Sequence, residues 1–312
     1  MSDPSVAEEV LAVDLGGSSM RAARTSADGV VSRRQEVPTP GSADAGPLVA
    51  LVHEVLGSEP VRAAVIGVPG RVDYGAGVLE HAPNLPAGWI DELTEDRLGA
   101  SLGLDVSLAN DADLAAVGEA WFGAGRDHRD VAYLTVSTGV GAGMVTGGLL
   151  VHGRRSMAEV GHSIVDRRAL ESGWATVEDL GSGTALGRLA RAAGLETDGR
   201  EADGREVEGR WRAGDPVATE VWEDVITVAA VAAVNLAHLF TPEVIVVGGG
   251  VGLVGEAVLG PMRALLAEWG PAGLPDPIEV VNAALGDDAA LAGAATWHRA
   301  FTPEAASRET AR

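Results

Sequence analysis

An aspartate, a glycine pair and two serines stand directly after the first apolar segment of the chain. The motif is Asp14-Leu15-Gly16-Gly17-Ser18-Ser19. Backbone N–H groups at such a glycine turn can cradle phosphate oxygens, and Asp14 at a strand end is placed to hold Mg²⁺, directly or through water. Taken alone, the motif is also typical of a tight turn that is capped by its aspartate.

Two further glycine turns follow apolar runs later in the chain. They are Thr138-Gly139-Val140-Gly141-Ala142-Gly143 and Gly248-Gly249-Gly250. Each of them alone is typical of an ordinary turn. Three glycine turns at predicted strand ends, which together carry an aspartate, a serine pair and a threonine, favour a nucleotide bound between two lobes.

Two sets of polar residues are candidates for binding and activating a hydroxylated substrate. Asn110-Asp111 joins a predicted strand to a predicted helix. One interpretation is an Asx cap on that helix, and the other makes Asp111 a general base with Asn110 orienting the substrate. Glu159, His162 and Glu178 offer carboxylates and an imidazole that can bind vicinal diols, although spacing alone leaves a structural role open for His162.

The composition excludes several kinds of chemistry. All 23 basic residues are Arg, and the chain has no Lys and no Cys. Schiff-base chemistry, Cys nucleophiles, thiolate zinc sites and the P-loop lysine are therefore excluded. The 45 acidic residues give a net charge of −22, which opposes binding to nucleic acid or to an anionic membrane.

The sequence predicts an untargeted, cytoplasmic protein. The residues before Leu11 include no basic side chain, unlike the start of a secretory leader. The most apolar run, Val225–Val234, is about half as long as the roughly 20 residues that span a bilayer. Without Cys, no disulfide constrains the redox compartment, so the cytoplasm is the default expectation.

The elements that must position these residues repeat in two halves. The first half predicts an antiparallel meander, a helix, two buried strands and a second helix, at 10–15, 20–25, 30–37, 48–56, 61–68, 104–108 and 111–122. The second half opens alike and continues through further helices and strands, at 131–136, 144–151, 182–193, 216–240, 244–247, 255–269, 278–282 and 288–301. The charged repeat within 198–206 predicts a surface loop.

This pattern predicts an α/β protein with a duplicated β-meander plus α/β unit and a central ligand cleft. We expect residues 1–110 to form a small lobe, completed by a C-terminal helix at about 288–312, and residues 111–287 to form a large lobe. A Rossmann domain is disfavoured, because its glycine turn opens a helix whereas the first glycine pair here opens a hairpin.

The chain resembles the ROK family of bacterial sugar kinases and sugar-responsive repressors over about residues 10–300. The resemblance rests on motifs that occur in the family's order. Besides those given above, they are Gly67-Val68-Pro69-Gly70, Ala82-Pro83-Asn84-Leu85 with Trp89, Gly118-Glu119, Gly123-Ala124-Gly125, Glu159-Val160-Gly161-His162, Glu178 before Ser182-Gly183, and Pro242-Glu243.

The resemblance implies a two-lobed actin-like ATPase (ribonuclease H-like) fold and a homodimeric, glucokinase-like enzyme. Such an enzyme transfers the γ-phosphoryl group of ATP, with Mg²⁺, to a primary hydroxyl of a hexose. Asp111 is then the catalytic base toward the sugar 6-hydroxyl, and Asp14 binds Mg²⁺, directly or through water. The implied sugar-binding residues are Gly70, Asn84, Asn110, Asp111, Glu159, His162 and Glu178. The implied nucleotide-binding residues are Gly16, Gly17, Ser18, Ser19, Thr138, Gly139, Gly141, Gly248, Gly249 and Gly250.

The chain departs from the family pattern at two places. Family members usually carry Thr-Lys after the first glycine pair, whereas Ser18-Ser19 keep the hydroxyl and lose the cation. Most members also bind a structural zinc through the His of the ExGH motif and three Cys in the following loop. The corresponding stretch, 163–178, has no Cys, so we expect no structural zinc.

Other functions stay open to different degrees. A kinase for an aminosugar or a C7 cyclitol of secondary metabolism is the alternative with the same mechanism. A sugar-responsive repressor is disfavoured, because the 13 residues before Asp14 are too few for a helix-turn-helix and the chain is acidic. A non-catalytic sugar-binding regulator is disfavoured by the intact Asp111.

Overall fold

The computed structural model describes residues 9–41, 44–57, 60–197, 200–201 and 203–301. Its strands are β1 (Val10–Leu15), β2 (Ser19–Thr25), β3 (Val31–Pro38), β4 (Ala63–Val68), β5 (Arg71–Asp73), β6 (Val78–His81), β7 (Asp105–Asn110), β8 (Asp130–Val136), β9 (Val140–Thr146), β10 (Leu149–Leu150), β11 (Glu196–Thr197), β12 (Arg200–Glu201), β13 (Val244–Gly248) and β14 (Glu279–Asn282). Its helices are α1 (Gly46–Leu56), α2 (Ala87–Ile90), α3 (Glu95–Leu102), α4 (Asp111–Phe122), α5 (Val177–Gly181), α6 (Gly183–Ala192), α7 (Gly204–Arg212), α8 (Pro216–Phe240), α9 (Glu256–Trp269), α10 (Ala289–Gly293) and α11 (Trp297–Ala300).

The chain forms two compact units. As far as they are described, residues 1–129, 143–157 and 287–312 make up the first unit, and residues 130–142 and 158–286 make up the second. The contacts therefore group α4 with the first unit, because α4 packs on α10. The predicted division into lobes at residue 110 stays a prediction, and the part of the predicted last helix beyond residue 301 lies outside the described residues.

A five-stranded sheet forms the centre of the first unit. Its order is β3-β2-β1-β4-β7, with β1, β2 and β3 antiparallel and β1, β4 and β7 parallel. Leu11, Val13 and Leu15 on β1 are fully buried. Because parallel strands end at the same edge of a sheet, the glycine turn after β1 and Asn110 at the end of β7 lie at one edge.

A second five-stranded sheet repeats this plan. Its order is β10-β9-β8-β13-β14, in which β9 and β10 are antiparallel and β8, β13 and β14 are parallel. The glycine turns after β8 and β13 thus end neighbouring parallel strands. The duplicated meander followed by parallel strands, predicted from the sequence, is confirmed.

Helix α8 is a core helix of the second unit. This helix of 25 residues has the length and the apolar composition of a helix that crosses a membrane. However, α8 packs against α5, α7 and α9, and it buries Val225, Ile226 and Ala229 among other small and branched side chains. An apolar face that is covered by neighbouring helices is typical of the interior of a folded unit.

The sequence predictions of the elements are mostly confirmed, with some exceptions. The hairpin of β5 and β6 and the helices α2, α3, α5 and α7 were not predicted, and β9 begins at Val140, inside the predicted second glycine turn. The predicted loop at 198–206 is wrong at 200–201, which form β12, and from residue 204, where α7 begins because the Asp203 carboxylate accepts the Glu206 N–H at 2.9 Å. Residues 198, 199 and 202 lie outside the described part. The last predicted helix is divided, because a 3-10 turn at Ala294–Thr296 separates α10 from α11.

The Gly118-Glu119 motif has a structural explanation in the first unit. Gly118 on α4 lies against the carbonyl oxygen of Ala289, and Gly293 on α10 lies against that of Leu114, so a Cβ at either glycine would overlap backbone. The fully buried Glu119 accepts the Ala124 N–H at 2.8 Å and so holds the turn after α4. The close approach of the two helices depends on this glycine pair.

We predict that Gly118→Ala destabilises the protein although Ala is the better helix former. The overlap with the Ala289 carbonyl should cost about 1–3 kcal/mol, more than the ~1 kcal/mol gained in helix propensity. Differential scanning calorimetry would show a lower melting temperature. The matched control is Gly209→Ala on α7, where a Cβ meets no atom within 4 Å and the melting temperature should stay or rise. An equal response of both variants would contradict the packing role of Gly118.

Candidate functional site

The first glycine turn is a closed hairpin loop that faces Asn84. The Gly16 N–H donates to the Ser19 carbonyl at 2.8 Å, and the Thr39 hydroxyl donates to the Gly16 carbonyl at 2.6 Å. A Cβ on Gly17 would lie 3.1 Å from the Asn84 carbonyl oxygen. The structure therefore brings this predicted phosphate turn together with a predicted sugar-binding residue.

Asp14 forms an ion pair that the motif alone does not reveal. Arg21 lies opposite Asp14 in the β1–β2 register, and its guanidinium donates to Asp14 Oδ2 at 3.1 Å. The same guanidinium lies 3.4 Å from Glu36 and 3.5 Å from Asp287. Burial raises the pKa of Asp14, and the charge and hydrogen bond of Arg21 offset this rise only in part. The register of the predicted β1–β2 hairpin was the signal that could have identified Arg21 as the partner of Asp14.

Asn110 caps α4 and ties it to the loop after β4. Its Oδ1 accepts the N–H groups of Ala112 and Asp113, both at 3.0 Å, and its Nδ2 donates to the Gly70 carbonyl at 2.9 Å. Gly70 has a φ of 98°, and a Cβ there would overlap the His81 carbonyl. The cap interpretation of Asn110 is thus confirmed.

Asp111 occupies the first position of α4, next to that cap. Its Oδ1 accepts the Ala112 N–H at 2.8 Å, and the residue is partly exposed at the sheet edge. Helix N-termini stabilise negative charge through their free N–H groups and the macrodipole. The junction therefore places the Asp111 carboxylate beside the carboxyl ends of the parallel strands.

In the second unit, Glu178 lies on the glycine turn that follows β8. Its Oε2 accepts the Val140 N–H at 2.9 Å, and a Cβ on Gly139 would overlap the Glu178 carboxylate. The start of α6 joins the same turn, because the Thr184 hydroxyl donates to the Thr138 carbonyl at 2.7 Å. A predicted sugar-binding residue and a predicted nucleotide-binding turn are therefore in direct contact.

The third glycine turn lies beside the second. Gly248 pairs with Thr135 across β13 and β8, and a Cβ on Gly248 would overlap the Tyr133 hydroxyl. Gly249 has a φ of 81°, and a Cβ there would lie 2.6 Å from the Thr135 hydroxyl. The backbone of this turn must approach β8 so closely that only glycine fits.

Glu159 and His162 lie on a short 3-10 turn with exposed side chains. His162 Nε2 is 3.9 Å from a Glu159 carboxylate oxygen, and 63% of the His162 side chain and 40% of the Glu159 side chain are exposed. Both side chains are accessible to a small polar ligand.

The stretch after His162 is held by a cluster that we call the Trp174 clamp, made of Trp174, Thr176, Asp179 and Arg188. The Val177 N–H donates to the Ser163 carbonyl at 2.9 Å, which closes the stretch into a hairpin-like loop. Thr176 and Asp179 form a capping box at the start of α5. The Arg188 guanidinium lies 4.2 Å from the centre of the Trp174 ring and donates to the Asp179 carbonyl at 2.6 Å.

The fold defines the class of protein to which the chain belongs. Two sheets of the same strand order, each with glycine turns at the ends of parallel strands, make up the predicted actin-like ATPase fold, and this prediction is confirmed by solved structures of sugar kinases. A family model described as the ROK family matches residues 10–300. The chain belongs to the ROK family.

Two relatives by sequence and one solved structure show how similar this chain is to known sugar kinases. The glucokinase of Thermotoga maritima is 32% identical over 306 residues, covering 92% of this chain and 96% of its own. The N-acetylmannosamine kinase of Citrobacter koseri is 31% identical over 274 residues, covering 83% and 88%. The structure of a ROK family glucokinase from Streptomyces griseus, in complex with glucose and AMPPNP, is 33% identical with a TM-score of 0.80, covering 93% and 98%. The prediction of an ATP-dependent hexose kinase is confirmed, while the roles of individual residues stay predictions.

We predict that the Trp174 clamp stabilises its stretch without a metal. Asp179→Ala should remove the capping box at a cost of about 1 kcal/mol in unfolding free energy. Burial opposes the charge of Asp179, but hydrogen bonds from Thr176 and Ala175 outweigh it and lower its pKa. The carboxylate therefore contributes fully above roughly pH 4 and loses its contribution as pH falls through the lowered pKa.

Thermal unfolding at several pH values checks this. Glu208→Ala, which removes a surface pair with Arg212 at 2.9 Å, is the control and should change stability by less than about 0.5 kcal/mol. A fall in the melting temperature of the unmutated protein after dialysis against EDTA would contradict a metal-free clamp.

Proposed function

We propose that this protein phosphorylates glucose, with Asp111 as the general base toward the 6-hydroxyl. The observation that carries the proposal is the Asn110–Asp111 junction, where a helix N-terminus holds a partly exposed carboxylate at the strand ends. General bases typically contribute about 10²–10⁴-fold to a rate. A carboxylate that is already fixed by the backbone needs no reorganisation when the hydroxyl arrives.

Further roles follow from the positions of the predicted residues. Asn84, Asn110, Glu159, His162 and Glu178 are proposed to bind sugar hydroxyls, with the Gly70 carbonyl fixing Asn110. The turns that begin at Gly16, Thr138 and Gly248 are proposed to bind the phosphates and the adenosine of ATP. The contact of Glu178 with the Val140 N–H supports a link between sugar and nucleotide recognition in the second unit.

Mg²⁺ fits the donor set around Asp14. A single carboxylate combined with substrate phosphates is a common way to bind this ion, which keeps several of its waters. We propose that Asp14 holds Mg²⁺ directly or through water; when bound, the ion neutralises charge on the transferring phosphoryl group. Arg21, 3.1 Å from Asp14, is a cation close to the turn where the family lysine is missing.

The second candidate acceptor is an aminosugar. The N-acetylmannosamine kinase of Citrobacter koseri favours it, because its identity to this chain is nearly that of the glucokinases. A C7 cyclitol remains an untested alternative. We further propose, from the family resemblance, that the enzyme is a cytoplasmic homodimer.

We predict that Asp111→Asn lowers kcat at least about 10²-fold, because the amide cannot accept the proton of the hydroxyl. Asn preserves the size of the side chain and keeps an oxygen that can accept the Ala112 N–H, so the melting temperature should change little. The control is Asp127→Asn, whose carboxylate is 82% exposed and pairs with the neighbouring Arg126 at 3.5 Å. Near-normal ADP release by Asp111→Asn would show that another group is the base.

The acceptor is identified by ADP release with glucose, N-acetylmannosamine, glucosamine and a cyclitol at equal concentrations. We expect kcat/KM for glucose to exceed the others, because the glucokinase relatives cover nearly the whole chain. A higher kcat/KM for N-acetylmannosamine would replace glucose by the aminosugar without changing the mechanism. If none of these acceptors stimulates ADP release, the proposal that glucose or an aminosugar is the acceptor fails.

A further inference from the structure

The first turn of α4 contains a capping arrangement that includes a tyrosine from outside the helix. In a capping box, the side chain three residues after the cap accepts the backbone N–H of the cap residue. Here the cap is Asn110 and that position is Asp113. Tyr74 stands between them: its hydroxyl donates to Asp113 Oδ2 at 2.6 Å and accepts the Asn110 N–H at 3.2 Å.

The same chain shows what the direct arrangement looks like. In α5, the cap residue Thr176 donates its N–H to Asp179 Oδ2 at 3.0 Å, with no side chain between them. In α4, the carboxylate is fully buried and reaches the cap through the phenol. The Tyr74 hydroxyl thus accepts the backbone N–H of Asn110, the residue directly before Asp111.

Tyr74 is itself held from two sides. Its N–H donates to the Arg154 carbonyl at 2.9 Å, and the neighbouring Asp73 pairs with the Arg154 side chain at 2.7 Å. Its ring packs edge-on against His152 and Phe301, with centroids 5.8 and 5.1 Å away. These contacts hold the phenol between Asp113 and the Asn110 N–H.

The electrostatics also favour a proton on the phenol. Burial and the charge of Asp113 raise the pKa of Tyr74 well above its ordinary value. The phenol therefore keeps its proton around neutral pH and donates it to Asp113 Oδ2.

We propose that Tyr74 and Asp113 are positioning residues for Asp111. They hold the Asn110 backbone, and so the direction in which the Asp111 carboxylate leaves the helix. Neither residue is proposed to touch the substrate. The inference rests on the proposed role of Asp111 as the base.

The test compares Tyr74→Phe with the double variant Tyr74→Phe/Asp113→Leu. Tyr74→Phe should lower kcat about tenfold or more, change KM for glucose and ATP less than about twofold, and speed hydrogen exchange of the Asn110 amide. It leaves a buried carboxylate without its donor, so it should also lower the melting temperature. The double variant removes that carboxylate, which should recover part of the melting temperature but not kcat.

The control is Asp215→Ala, which removes a cap from α8, where Asp215 accepts the Val217 N–H at 2.9 Å. It should lower the melting temperature and leave kcat within about twofold.

If kcat of the double variant recovers together with its melting temperature, Tyr74 acts only on stability and the proposal is overturned. It is also overturned if Tyr74→Phe leaves kcat and Asn110 exchange unchanged while Asp111→Asn is inactive. If Asp111→Asn is active, the base assignment and the positioning role fall together.

Discussion

Backbone N–H groups at the ends of buried strands and helices must find acceptors, and the structure around the candidate site depends on how they do so. Asn110 accepts two N–H groups at the start of α4, and Glu178 accepts one in the second glycine turn. A buried N–H without an acceptor costs about 1–3 kcal/mol, so each of these hydrogen bonds favours the folded state strongly. Capping and function are therefore not alternatives here, because the side chains that satisfy the backbone also fix the groups proposed to act on substrate.

The absence of Lys and Cys changes how two parts of the chain are held. Near the first glycine turn, where the family resemblance predicts a lysine, Arg21 forms an ion pair that is shared among three carboxylates. In the stretch after His162, where the resemblance predicts zinc-binding cysteines, the Trp174 clamp uses a capping box and a cation–π contact. Both arrangements use an Arg, whose guanidinium is always protonated in proteins.

Much of the fold could be predicted from the sequence, because its signals are local. The boundaries of β1, α4 and α8 follow from apolar periodicity and from the caps Asn110 and Asp215. The hairpin of β5 and β6 was missed because its strands are too short to show alternation. Arg21 could be predicted from hairpin register, whereas the contact of Tyr74 with Asp113 could not, since the two residues are 39 positions apart and no repeat or motif relates them.

The first unit is completed by the last segment of the chain that the structure describes. The Thr25 hydroxyl donates to the Leu291 carbonyl at 3.0 Å across 266 positions, and Trp297 and Phe301 pack on Tyr74. Contacts this distant in sequence form late, because a long loop must close before they contribute. During synthesis, the part of β1 and β2 that packs against α10 therefore stays uncovered until the whole second unit has been made. Exposed apolar surface of this kind is prone to aggregation, so we expect nascent chains of this protein to need protection during that interval.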